Sequence, residues 1–193
     1  SWRFIAGAAP IAAVVGLYNL TRFGSVFDFG YARIPSDTTG LVTDEWWYSE
    51  GIESPAYLWR GFAAAFLSWP RIVAEAPFVQ PSLWADSLIL TAPFLGGVVL
   101  ARGRLALVTA GTAILVLLVD MMHGNPGFEQ FGYRFILDSM PLWLVVLGLG
   151  LRDRAPLPFR LAVIFGAIVT AYGVWAMSTG FAVALKVLPA PSF

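Results

Sequence analysis

Charged residues along this chain stand as boundaries, and long apolar stretches run between them. Uncharged segments cover residues 4–21, 87–101, 105–119, 139–151 and 161–185. A helix that crosses about 30 Å of hydrocarbon needs about 20 residues. The first and last stretches meet that length alone. The middle three meet it only if their helices run past a charged residue at one end, which a snorkelling arginine permits at modest cost. The pattern predicts an all-α membrane protein with about five transmembrane helices, at about 4–20, 84–102, 104–122, 132–151 and 160–181. No internal repeat divides the chain, so residues 1–193 read as a single membrane domain. A signal peptide is the rival reading of the first span, because Arg3 precedes an apolar run, but no clean small-residue cleavage site follows before Tyr18.

Residues 21–83 break this pattern. They are dense in Trp, Tyr and Phe, residues that favour the headgroup layer, where a ring is half buried and its polar tip stays wet. Within them, the uncharged run 61–70 is bounded by Arg60 and Arg71 and is too short to span. It predicts an interfacial or re-entrant helix. Gly24, Gly30, Pro35, Gly40, Gly51 and Pro55 make the preceding part a loop with short helical turns.

Composition supports the membrane assignment. Hydrophobic residues are 58% and charged residues 12% of 193. That is about half the charged fraction of a soluble domain, and one core of this size cannot hide so much apolar surface. A net charge of zero gives no basic face for nucleic acid. The absence of cysteine removes disulfides and thiolate metal sites. Arginine placement sets orientation. Arg102 and Arg104 follow the second span, and Arg152, Arg154 and Arg160 follow the fourth, so both turns are expected on the cytoplasmic side. The aromatic segment then lies outside. Between residues 19 and 84 it carries seven acids against four arginines, which agrees.

Two motifs add to this reading. Residues 18–31 contain Asn19, Arg22-Phe23-Gly24-Ser25 and Phe29-Gly30-Tyr31, in the pattern N-x-x-R-F-G-S-x-x-x-F-G-Y. Residues 130–138 read Q-F-G-Y-R-F-x-x-D and lead into Pro141 and Trp143. Together they resemble the C-terminal half of polytopic glycosyltransferases of the C superfamily, the mannosyltransferase-like group of bacteria. The resemblance covers most of residues 15–150. It implies sugar transfer from a polyprenyl-phosphate-linked donor at the outer face of a bacterial inner membrane. It implies no cofactor, and its partners are the lipid bilayer, a polyprenyl-phosphate-sugar and, for an accessory form, other membrane subunits. The family's catalytic acid sits in a first outer loop, and no residue of this chain matches that position.

Candidate residues follow. Arg134 would clamp the donor phosphate with its planar donor fork, with Tyr133 and Gln130 beside it and Asp138 orienting it. If the helix begins near Gly132, Arg134 and Asp138 share a face, and a structural role is the favoured reading of the two: an interfacial ion pair that anchors the helix end, or Asp138 and Ser139 as an N-cap before Pro141. Trp46, Trp47 and Glu45 suit the stacking and hydrogen bonding of a sugar, although a membrane belt supplies the same residues. Asp120 and His123 end the third helix on the outer side. There a base, a metal ligand or a hydrogen-bonded loop histidine are all open, and one histidine without a second ligand at fixed spacing argues against metal. Arg22 and Asp28 read as a surface pair. Three functions stay in view: a glycosyltransferase or its C-terminal half, an accessory subunit derived from that fold, and, least favoured, a transporter fragment.

Overall fold

The computed structural model describes residues 2–36, 39–127, 129–151 and 155–182. Where the sequence reads as one domain, the chain divides into two compact units, Ser1–Ile52 and Glu53–Phe193.

In the first unit α1 (Trp2–Phe23) is an apolar helix of 22 residues, about 33 Å long. Almost none of it is buried, as expected of a helix that faces lipid. It stops at Gly24, whose positive φ of 84° lets its N–H bond back to the Leu20 carbonyl. The turn that follows closes on the helix end. Buried Asn19 donates from Nδ2 to the Val26 carbonyl (3.3 Å), and Arg33 donates from Nη2 to the Phe23 carbonyl (2.9 Å). The Arg22 and Arg33 guanidiniums lie 5.2 and 5.3 Å from the Phe23 ring. Asp28 pairs with Arg33 (3.5 Å), so the expected Arg22–Asp28 pair is corrected; Arg22 donates instead to the Tyr18 hydroxyl.

The second unit holds the rest. A 3-10 turn over Pro55–Tyr57 leads into α2 (Leu58–Phe62), which widens into a π-helical turn over Ala63–Leu67. This is the expected non-spanning helix near 61–70. Its inner face is not lipid-facing but buried: Ala64 and Ala65 join a core with Leu88, Leu117, Met121, Tyr133 and Ile136. Gly61 is there because α2 meets the end of the next long helix so closely that a Cβ would sit 2.6 Å from the Met121 Cα.

The span expected at 84–102 is not one α-helix. Ser87 caps α3 (Leu88–Thr91), which ends after four residues, and a 3-10 helix over Pro93–Leu100 continues it. Pro93 supplies the reason: it lacks an N–H and pushes the residue before it out of the α region, and Ala92 lies at φ −135°, ψ 50°. The long helices are α4 (Arg104–Met121), α5 (Ile136–Leu151) and α6 (Leu157–Ser178). α1, α4 and α6 are long and apolar enough to cross a membrane, while α5 is apolar but has only 16 residues. Small residues allow α5 and α6 to press on the broken segment. A Cβ on Gly150 would meet the Ala101 backbone at 2.8 Å, and one on Gly166 would meet the Thr91 carbonyl at 3.2 Å.

The second unit therefore has two ends. At one lie Arg104, Ala101 against Gly150, and the start of α6. At the other lie Met121, α2, and the hairpin pairing Arg71–Ile72 with Val79–Gln80. That hairpin is tied to the far end of α6 by Gln80 Nε2 donating to the Phe181 carbonyl (3.0 Å) and by the Tyr172 hydroxyl donating to the Val79 carbonyl.

Candidate functional site

The Gln130–Asp138 motif forms the turn that enters α5. Gly132 at φ 80° cannot be helical, so the helix starts at Ile136 and not near Gly132. This changes the geometry of the expected pair. Arg134 and Asp138 make no ion pair with each other; both side chains are exposed, and the Arg134 guanidinium lies 5.7 Å from the Phe135 ring. Asp138 therefore does not orient Arg134, a correction that follows from where the helix begins.

Gln130 and Tyr133 turn inward. Gln130 is 7% exposed and bridges two segments, donating from Nε2 to the Trp84 carbonyl (2.7 Å) and the Pro126 carbonyl (2.9 Å). Gly127 packs so tightly on this amide that a Cβ there would overlap it. Tyr133 is 1% exposed, and its hydroxyl donates to the Asp120 carbonyl (3.3 Å). These two residues hold the turn in place, and Arg134 is the side chain the turn presents. All three line a pocket of about 230 Å³ walled also by Leu88, Thr91 and Leu137. Beside it runs an apolar groove of about 360 Å³, lined by Phe66, Pro93, Leu95, Leu117 and Trp143. Leu88, Ala92 and Ile136 belong to the walls of both. Pro93, where the chain breaks, is part of the groove's wall.

No family model, curated protein or solved structure matches this chain.

Other expected residues are placed as follows. His123 Nδ1 lies 2.8 Å from the Asn125 carbonyl oxygen and 3.1 Å from the Asn125 nitrogen, so the ring is held by its own loop, and its backbone bridges to Glu53. This is a loop histidine, and no cluster of three metal-ligating side chains occurs among the described residues. The bridge brings Glu53 to the end of α4, where the electrostatic neighbours of Asp120 are the carboxylates of Asp138 and Glu53. Glu53 was missed by sequence reasoning because it lies 70 positions from its partner. In the first unit Trp46 is exposed, but Trp47 is buried against the edge of Tyr48, so it offers no open face to a sugar. Glu45 accepts from the Ser36 and Thr39 hydroxyls. Arg152, Asp153, Arg154, Asp37 and Phe128 lie outside the described residues.

Asp86, just ahead of α3, is the buried acid that sequence reasoning passed over. It is 0% exposed, and its Oδ2 has no hydrogen-bond partner, while Oδ1 accepts from the Ser82 N–H at 3.5 Å. Burial pushes its carboxyl up to about 6, a shift only partly offset by that N–H. A pKa raised in the folded state means that the unfolded chain binds fewer protons between about pH 4 and 6. Stability from Asp86 is thus fully present below about 4 and is lost as pH rises through 6. The native protein in detergent should gain thermal stability relative to Asp86→Asn as pH falls from 8 to 5, by about 1–1.5 kcal/mol. Parallel melting profiles for the two proteins over that range would contradict this.

Proposed function

We propose that the chain is a membrane glycosyltransferase, or the C-terminal half of one, that takes its sugar from a polyprenyl-phosphate-linked donor at the outer face of a bacterial inner membrane. The observation that carries this reading is Arg134 in a pocket that shares Leu88, Ala92 and Ile136 with an adjoining apolar groove. A polyprenyl phosphate has the same polarity: a phosphate that a guanidinium fork binds in bidentate fashion, followed by an isoprenoid chain that an apolar wall shelters. The carboxylates of Asp120, Asp138 and Glu53 gather at the same end of the second unit and supply candidate proton acceptors for the sugar acceptor's hydroxyl. The test is sugar transfer from a polyprenyl-phosphate donor by the purified protein, together with any further part of the same polypeptide. Transfer supports the reading.

A second reading is a non-catalytic accessory subunit derived from the same fold, and it is favoured by the fact that, among the described residues, no carboxylate lines either cavity. Absence of transfer together with stable co-purification in a larger membrane complex selects it.

In either reading five segments cross, with the broken stretch Leu88–Leu100 as one of them, and the α5–α6 turn faces the cytoplasm. Support comes from the arginine-rich turns and from the separation of the Ala155 turn and the 71–80 hairpin by the length of α6. The chain has no cysteine, so a single introduced thiol reports its own side. Ala155→Cys should react with a membrane-impermeant maleimide only after the cells are opened, and Glu75→Cys should react in intact cells. The reverse pattern ends this topology.

A further inference from the structure

A third, separate cavity lies at the opposite end of the second unit from Arg134. It measures about 460 Å³ and is formed where the 3-10 helix ends, α4 begins and α5 passes. Its walls are apolar, from Val98, Ala106, Leu107, Ala110 and Val146, and its mouth carries Arg102 and Arg104. Arg102 is anchored by Nη1 donating to the Ala101 carbonyl (3.0 Å), which holds its guanidinium at the rim with other N–H groups to spare. Among the described residues the Arg104 side chain makes no hydrogen bond or ion pair. α4 starts here at Gly103 without a side-chain cap, so the positive end of its dipole adds to the two arginines.

We propose that this cavity binds an anionic glycerophospholipid, with the headgroup phosphate between Arg102 and Arg104 and the upper part of one acyl chain in the apolar cleft. Charge complementarity selects the occupant. Two guanidiniums line the cavity, no acid lines it among the described residues, and basic pockets between helices at the cytoplasmic side are where anionic headgroups bind. The apolar cleft favours a lipid over a free phosphate, because a phosphate alone would leave that wall without a partner. Under the topology proposed above the site opens to the cytoplasmic leaflet, but its chemistry does not depend on that orientation or on the sugar-transfer reading.

The experiment measures binding and thermal stabilisation of the whole protein in detergent, with phosphatidylglycerol, phosphatidylcholine or inorganic phosphate added separately. Phosphatidylglycerol should bind and stabilise, and the other two should not. Arg104→Gln should weaken phosphatidylglycerol about fivefold, the factor equivalent to about 1 kcal/mol per basic residue at an anionic surface. Because the Arg104 side chain makes no hydrogen bond or ion pair among the described residues, this variant should melt like the native protein when no lipid is added. Ala110→Phe, which fills the cleft, should weaken the lipid while leaving Arg104 intact. Equal effects of the two lipids, an effect reproduced by phosphate alone, or undiminished binding by Arg104→Gln would overturn the proposal.

Discussion

Gly61→Ala should destabilise the protein, although alanine is the better helix former by about 1 kcal/mol. The reason is the approach of α2 to the end of α4. The added methyl would lie 2.6 Å from the Met121 Cα and closer still to the Met121 carbonyl oxygen, and backbone atoms cannot swing aside as a side-chain tip does. Overpacking of this kind costs about 1–3 kcal/mol, and Gly61→Val should cost more. Gly111→Ala is the control. It lies in α4, and a methyl group added there would meet nothing within 4 Å, so helix propensity alone should act. Thermal melts in one detergent read both. For a chain of this size each kcal/mol moves the midpoint by about 2–4 °C. A Gly61→Ala protein as stable as Gly111→Ala would mean that α2 does not pack on α4 in this way, and the groove beside Phe66 would lose one wall.

Arg134→Ala should lower use of a polyprenyl-phosphate donor about 10- to 100-fold, because hydrogen bonds to charged groups contribute about 1.5–3 kcal/mol. Arg134→Lys should recover part of this, since a lysine keeps the charge but not the fork. Asp138→Asn should leave Arg134's role intact, because the two side chains do not pair. Tyr133→Phe should act on stability more than on donor use, because its hydroxyl bonds inward to the Asp120 carbonyl. The contrast between positions 133 and 134 separates a residue that presents itself to a ligand from one that holds the turn. Initial-rate assays across donor concentrations give the values. Full activity in Arg134→Ala would remove the phosphate role.

Long uninterrupted apolar runs made α1 and α6 legible, and α4 was legible once its helix was allowed to run past Arg104 and Asp120, because a lipid-facing helix needs little beyond length and hydrophobicity. The stretch 84–102 had the composition of a span, yet Pro93 decided its conformation locally, and span length was the wrong evidence to weigh there. At the turn into α5, the i to i+4 spacing of Arg134 and Asp138 suggested a pair. Gly132 in the left-handed region delays the helix to Ile136 and leaves Arg134 outside it. The inward roles of Gln130 and Tyr133 depend on Trp84, Pro126 and Asp120 and have no local signature. The same holds for buried Asp86, whose neighbours in the chain are tied to a distant segment: Ser68 donates from Oγ to the Ala85 carbonyl (2.7 Å) across 17 positions. The second motif led to the turn that carries the candidate site, and tertiary packing then decided which of its side chains face out.

If the groove and Arg134 together hold a lipid-linked phosphate, a polyprenyl phosphate carrying a diazirine in its first isoprene units should photolabel the purified protein there. Label is expected on the groove residues between Leu88 and Gly96 and near Ile136 and Trp143. Unlabelled polyprenyl phosphate should compete it away, and Arg134→Ala should reduce it sharply. Label spread over the exposed faces of α1 and α6, with no competition and no dependence on Arg134, would contradict a phosphate-binding groove.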